Sequence, residues 1–148
     1  MSTYQEHALE GASAVDLVVA LYDGIIRFLY GAIDAVERDD IDGRRGSVKR
    51  ALDIIIHLQA RLRMDVGGQP AQALSEFYAS VFAQILQASQ SASRQKFEHA
   101  IECVRNVRDA WREVARDPAV NPAPPQSSGA HSFAYSEESS SSGSRWNA

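Results

Sequence analysis

Apolar residues recur every three or four positions through most of residues 12–117. The first run contains Leu17, Leu21 and Ile25, a spacing that places side chains on one face of a helix. No stretch alternates apolar and polar residues with β-branched enrichment, so strands are not expected. The pattern predicts four helices, the first starting after Ser13 and the others covering about residues 46–65, 70–90 and 93–116.

Short polar links separate the predicted helices. Ser13 and Asp16 have the spacing of a capping box, which marks a helix start. The Gly67-Gly68 pair ends the second helix, and Pro70 suits the first turn of the third because its missing N–H costs nothing there. Helices joined by short links pack as antiparallel neighbours. The expected fold class is therefore all-α, an elongated antiparallel four-helix bundle with a disordered C-terminal tail.

The apolar positions exceed what a closed bundle requires. A bundle helix needs about three apolar positions in seven, yet the second and third helices carry further apolar residues beside their main stripe. These additional residues are Ile54, Ile56, Phe77 and Phe82. The surplus indicates either a very well-filled core or an apolar groove left for a partner, since large exposed apolar patches mark interaction sites.

The C-terminal part of the chain has a different composition. Four of the five prolines lie between residues 118 and 125, and a serine-rich stretch follows. Such a segment buries too little apolar surface to offset its ordering entropy, so residues 118–148 are expected to form a disordered Pro/Ser-rich tail. Residues 1–117 are the expected bundle domain, with 1–12 as a mobile N-terminal segment. The aromatic residues of the tail are either solvated or a short docking motif: Phe133, Tyr135 and Trp146.

Composition and charge narrow the class of protein. The net charge of −4 lacks the strongly basic character of most nucleic-acid-binding domains. The first residues do not have the pattern of a signal peptide, and the apolar runs are shorter than a membrane span needs. The single cysteine, Cys103, does not call for an oxidising compartment. We therefore expect a cytosolic (cytoplasmic) protein without membrane insertion.

Motifs for catalysis are missing from the sequence. No Glu or Asp is followed three residues later by His, the pair that a di-iron bundle requires. Asp53 and His57 are four residues apart and are interpreted as a pair on the helix surface rather than as metal ligands. No phosphate-binding loop and no nucleophile elbow occur. The sequence thus predicts no enzyme activity, no metal and no cofactor.

One basic cluster surrounds the start of the second predicted helix. It contains Arg44-Arg45 and Lys49-Arg50, and no aromatic residues are interleaved with it. Single-stranded nucleic acid is bound by basic grooves that also carry aromatic stacking platforms. The cluster is therefore interpreted as a solvated face or as the rim of a binding site, and no nucleic-acid partner is expected.

Specific residues carry a family resemblance. Residues 12–24, which read Ala-Ser-Ala-Val-Asp-Leu-Val-Val-Ala-Leu-Tyr-Asp-Gly, resemble the helix start and the Leu-Tyr-Asp/Glu-Gly signature of the flagellin export chaperone family FliS. Tyr4 matches a tyrosine ahead of that helix. A Gly-Gly break leading to Phe77-Tyr78 and the Arg-Asp-Ala-Trp of residues 108–111 match later family motifs. The similarity covers about residues 4–115, with Ala14 where the family usually has proline.

The resemblance implies a function and partners. A member of this family would bind the disordered C-terminal segment of flagellin in the cytosol and prevent its premature polymerisation. It would also assist delivery to the flagellar type III export apparatus, whose components would be further partners. No cofactor is involved. The N-terminal segment around Tyr4 would lie over part of the binding surface when the partner is absent.

The candidate groove combines the apolar positions with the family motifs. Because core and groove residues share the same helical spacing, at least half of the candidates are expected to be core. The candidates are Tyr4, Leu17, Leu21, Tyr22, Ile25, Ile55, Leu58, Leu62, Leu74, Phe77, Tyr78, Val81, Val104 and Trp111. Two alternatives remain at this point: a helical adaptor with a different client, and a metal-dependent bundle enzyme. A homodimer formed by segment exchange is also compatible with long helices.

Overall fold

The computed structural model describes residues 3–116, and it describes the side chains of residues 14–63 and 67–116. This part of the chain contains four helices and no strand. The helices are α1 (Thr3–Glu37), α2 (Ile41–Ala60), α3 (Met64–Gln90) and α4 (Arg94–Arg116). The predicted all-α bundle class is therefore confirmed. The predicted tail, residues 118–148, lies outside the described residues, and the mobility of residues 1–12 stays a prediction.

The predicted starts of the first two helices are wrong. Helix α1 begins at Thr3, not after Ser13, because nothing in the sequence before Ser13 interrupts a helix as proline would. Helix α2 begins at Ile41 because Asp40 supplies its N-cap, with the carboxylate accepting a hydrogen bond of 2.8 Å from the amide of Gly43. Because Asp40 is the N-cap, the acidic turn lies directly at the start of α2, and α2 begins before Gly46, where it was predicted to start.

Helix α3 changes direction at the predicted glycine break. Gly68 has φ 58° and ψ −139°, a conformation that only glycine adopts without strain. The helix therefore has a kink at this residue, and Pro70 follows directly in the second segment, whose first turn has no need of its N–H. The prediction that the Gly-Gly pair ends the second helix is wrong, because α2 already ends at Ala60 and the pair lies inside α3, whose first segment starts at Met64.

The chain forms two compact units. One contains Ala20–Arg108, and the other combines the described residues up to Val19 with those from Asp109 onward. Within the first, which we call the central unit, α1 and α4 are antiparallel, since Asp23 pairs with Arg108 while Glu37 pairs with Arg94. The larger side chains buried in its core are Tyr22, Ile25, Ile26, Leu29, Ile33, Val48, Ile55, Leu58, Tyr78, Val81, Ile85, Phe97, Ile101 and Val104.

Candidate protein-binding surface

The Leu-Tyr-Asp-Gly segment of α1 contacts three different helices. The hydroxyl oxygen of Tyr22 lies 2.7 Å from that of Tyr78 on α3. The carboxylate of Asp23 accepts a hydrogen bond of 2.9 Å from Nη1 of Arg108 on α4. Gly24 allows α2 to approach closely, because a Cβ added here would lie only 3.1 Å from Cδ1 of Ile54. These three residues of the signature therefore hold the bundle together.

The tyrosine pair is part of the core. Tyr22 is 0% exposed and Tyr78 is 3% exposed, and their rings meet edge to face with centroids 6.2 Å apart. Burial, and secondarily the neighbouring Tyr22, raises the pKa of the Tyr78 hydroxyl well above its ordinary value. The phenol of Tyr78 thus stays neutral at physiological pH, where its hydrogen bond with Tyr22 links α1 to α3.

Seven of the candidate groove residues are core residues. None of them is more than 3% exposed, so in this structure they are not available to a partner, and their interpretation as groove residues is corrected. Helical spacing alone gives the same pattern for a core stripe and for a groove stripe. The seven residues are Tyr22, Ile25, Ile55, Leu58, Tyr78, Val81 and Val104.

The other candidates are at least partly accessible where their side chains are described. Leu21, Leu62, Leu74 and Phe77 are half-buried in the central unit. In the other unit Leu17 is 42% exposed and Trp111 is half-buried. The side chain of Tyr4 lies outside the described residues. A binding role for these residues stays a prediction.

A surface missed by the candidate set lies along α2 and α3. Gln59 on α2 donates a hydrogen bond of 2.7 Å to Oγ of Ser75 on α3, which identifies the faces that meet. Helical periodicity places Leu52 and Ile56 on the Gln59 side of α2, and Phe82 and Leu86 on the Ser75 side of α3. We call these four residues the α2–α3 apolar surface: Leu52, Ile56, Phe82 and Leu86.

This surface is exposed to a degree unusual for large apolar side chains. Ile56 is 55% exposed and Leu86 is 38% exposed, while Leu52 and Phe82 are half-buried. Contiguous exposed apolar side chains mark interaction sites. The sequence contained a signal for this surface, because Ile56 and Phe82 stood beside the main apolar stripe. Leu86 was less conspicuous because it follows the core residue Ile85.

Among the described groups capable of chemistry, a cysteine and a histidine one helical turn apart lie close together on α4. Cys103 lies 3.8 Å from Nε2 of His99 and 3.9 Å from Oε1 of Gln84. The predicted surface pair of Asp53 with His57 is wrong, since Asp53 accepts a 2.8 Å hydrogen bond from Lys49. Among the described residues no three His, Cys, Asp or Glu side chains cluster as metal ligands would.

Nothing in the described helices reaches the combination of length and apolar character that crossing a membrane requires. The described residues form an all-helical bundle that exposes large apolar side chains on two adjacent helices. These features are typical of helical proteins with a surface suited to binding another protein. Residues 1–118 match the family described as "Flagellar protein FliS". The chain therefore belongs to the FliS family.

Several curated relatives carry the same description. The flagellar secretion chaperone FliS of Vibrio cholerae is 32% identical over 106 residues, which are 72% of this chain and 78% of the relative. The chaperone of the same name from Campylobacter jejuni is 29% identical over 80% of this chain and 93% of its own length. That of Salmonella typhimurium is 30% identical over 74% of this chain and 82% of its own length.

Proposed function

We propose that this protein is a cytosolic export chaperone for flagellin. It binds the disordered C-terminal segment of flagellin, prevents premature polymerisation and assists delivery to the flagellar type III export apparatus. Membership of the FliS family and the description of the relatives as flagellar secretion chaperones support the export role. The resemblance of the signature, the glycine break and the closing Arg-Asp-Ala-Trp motif to those of the flagellin export chaperones supports flagellin as the client.

The observation that carries the proposal is the α2–α3 apolar surface. A disordered client that folds on binding presents apolar anchors at helical spacing, and these anchors need an apolar surface on the chaperone. Because the client loses conformational entropy, the contact must bury enough apolar area to exceed that cost. Ile56 and Leu86 offer such area without any rearrangement of the core.

The first experiment is a calorimetric titration of the full chain with a peptide of the flagellin C-terminal segment. We expect saturable binding, a negative heat-capacity change and a gain of helical circular dichroism as the peptide folds. A peptide of the same composition in scrambled order is the control. If neither heat nor peptide ordering is observed at concentrations on the order of tens of micromolar, which correspond to a binding free energy of about −6 kcal/mol, flagellin as the client is contradicted.

The second experiment addresses polymerisation. Flagellin monomers are induced to polymerise in the presence of increasing chaperone, and filament growth is followed by light scattering. If the chaperone covers the C-terminal segment, growth stops near a one-to-one ratio. Unchanged growth despite demonstrated peptide binding would contradict the protective role while leaving the binding role intact.

A further inference from the structure

A second surface lies where α1 meets α2 within the central unit. Ile54 of α2 approaches Gly24, and a Cβ added at Gly31 would lie 3.1 Å from Oγ of Ser47. As residue numbers rise along α1 they fall along α2, so the two helices are antiparallel. The two glycines let the helices come close together, so the line of contact is flanked by side chains from both.

Apolar and basic side chains alternate along this line. Arg50 and Ile54 of α2 are four residues apart, and Arg61, the C-cap residue of α2, follows seven residues later with helical backbone angles, so the three lie on one helix face. On α1, Leu21 and Phe28 are seven residues apart and share a face in the same way. Leu21, Phe28 and Ile54 are half-buried, whereas the arginines are exposed.

Two guanidinium groups lie against the ring of Phe28. The guanidinium carbons of Arg27 and Arg50 are 5.5 and 5.8 Å from the ring centroid, within the range of cation–π interaction. A Cβ added at Gly24 would also lie 3.9 Å from Nη2 of Arg27, so this guanidinium extends over the contact between Gly24 and Ile54. We call Leu21, Arg27, Phe28, Arg50, Ile54 and Arg61 the basic seam.

The arginines of the basic seam have no acidic partners among the described residues. The absence of acidic partners does not come from a shortage of acidic residues, because the chain contains 19 acidic and 15 basic residues. By contrast, every arginine of α4 forms an ion pair: Arg94 with Glu37 and Glu98, Arg105 with Glu102, Arg108 with Asp23, Arg112 with Asp109, and Arg116 with Glu113. The positive charge of the seam is therefore available to an external ligand.

We propose that the basic seam is a docking surface for an acidic amphipathic helix of a partner protein. The apolar side chains of that helix would pack on Leu21, Phe28 and Ile54. Its carboxylates would pair with Arg27, Arg50 and Arg61, where guanidinium groups form bidentate hydrogen bonds. The complementary charge speeds encounter and fixes orientation. This site lies on a different helix face from the α2–α3 apolar surface and does not depend on flagellin being the client.

An acidic helix fits the basic seam better than a nucleic acid does. Binding of single strands uses aromatic rings on which bases stack. Phe28 is the only aromatic residue of the basic seam, so the seam has no row of rings on which successive bases could stack. The half-buried leucine and isoleucine side chains, in turn, have no function in binding phosphates but suit the apolar face of a helix.

The test is a fluorescence-anisotropy titration of the full chain with a labelled synthetic peptide of about four helical turns. The peptide has leucines at helical spacing and glutamates elsewhere, and its counterpart has glutamine in place of every glutamate. We expect saturable binding of the acidic peptide that weakens with salt, and binding at least about tenfold weaker for the glutamine peptide. Equal affinity for both peptides would overturn the proposal.

Two double variants locate the binding. R27E/R50E removes the cations of the seam and should weaken binding of the acidic peptide at least about tenfold. R45E/K49E makes the same change in net charge at exposed positions on other faces of α2 and should bind within about twofold of wild type. Circular dichroism verifies that both variants are folded, and R27Q/R50Q replaces the first if it is not. Equal losses in the two variants would indicate nonspecific attraction and overturn the proposal.

Competing ligands and the client complete the test. Duplex DNA and vesicles of anionic lipid are tested in the same way. If either binds more tightly than the peptide and also depends on Arg27 and Arg50, the partner of the basic seam is a nucleic acid or a membrane and not an acidic helix. The flagellin peptide should bind R27E/R50E as it binds wild type. A failed acidic-peptide titration with intact flagellin binding would reject only the seam. The reverse result would reject only the flagellin client.

Discussion

The hydroxyl oxygens of Tyr22 and Tyr78 lie 2.7 Å apart inside the bundle, and both residues belong to segments by which the chain resembles the FliS family. Because both side chains are buried, their role is structural. With Asp23 bound to Arg108 and Gly24 against Ile54, the signature of α1 connects this helix to each of the other three. A family motif in a binding protein therefore need not be the part that binds.

Replacement of Tyr78 with phenylalanine should destabilise the protein without unfolding it. The change removes one buried hydroxyl and its hydrogen bond, which costs about 1 kcal/mol in the free energy of unfolding. Urea denaturation of Y22F, Y78F and the double variant measures the coupling. The double variant should lose less than the sum of the single losses, because both single changes break the same bond. Strict additivity would show that the two hydroxyls contribute independently.

The same pair predicts a loss of stability in alkaline solution. The pKa of Tyr78 is raised in the folded state, so above pH of about 10 the unfolded chain releases this proton while the folded protein retains it. The contribution of Tyr78 to stability is thus complete below pH of about 10 and declines above it. Urea midpoints from pH 8 upward should fall more steeply for wild type than for Y78F. Parallel curves would contradict the assignment.

The pair of Asp23 and Arg108 should contribute more to stability than an exposed ion pair. The Arg108 side chain is 16% exposed and that of Asp23 is 39% exposed, so water screens this pair less than it screens a pair on the open surface. We expect D23N to lower the free energy of unfolding by about 1 kcal/mol. D34N is the matched control, because the exposed pair of Asp34 with Arg38 should contribute less than about 0.5 kcal/mol. Similar losses in both variants would contradict the comparison.

Glycine substitutions in α2 and α3 should have opposite effects. Gly68 has a positive φ, and alanine at this position should cost about 1–3 kcal/mol. Gly46 lies inside α2 with no atom within 4 Å of an added Cβ, so alanine there should stabilise the helix by about 0.5–1 kcal/mol. Thermal denaturation of G68A and G46A should therefore show a decreased and an increased midpoint, respectively. A stabilised G68A would mean that the kink is absent in solution.

The sequence was sufficient for the fold class but not for the helix starts. Four apolar runs at helical spacing and a glycine pair are local signals, and each gives a helix or a kink in the structure. The start of α2 was placed late because the decisive residue, Asp40, acts through one hydrogen bond to Gly43. The start of α1 was placed late because a capping-box spacing at Ser13 also occurs inside a continuous helix.

The sequence could not predict which apolar residues lie in the core and which lie on the surface, and the reason is geometric. Ile55 and Ile56 are adjacent isoleucines, but 100° of helical rotation makes one 2% and the other 55% exposed. Which of the two faces inward depends on where the neighbouring helices pack, and helical spacing does not encode this. Seven candidates were therefore core residues, whereas Ile56 and Leu86 were missed.

These adjacent isoleucines offer the sharpest test of the proposed client surface. A glutamate at Ile55 would bury a charge in the core, so I55E should unfold the bundle. A glutamate at Ile56 would lie in solvent, so I56E should melt within a few degrees of wild type but bind the flagellin peptide at least about tenfold more weakly. The measurements are circular-dichroism melting and calorimetry on the same samples. Undiminished peptide binding by folded I56E would exclude Ile56 from the client contact.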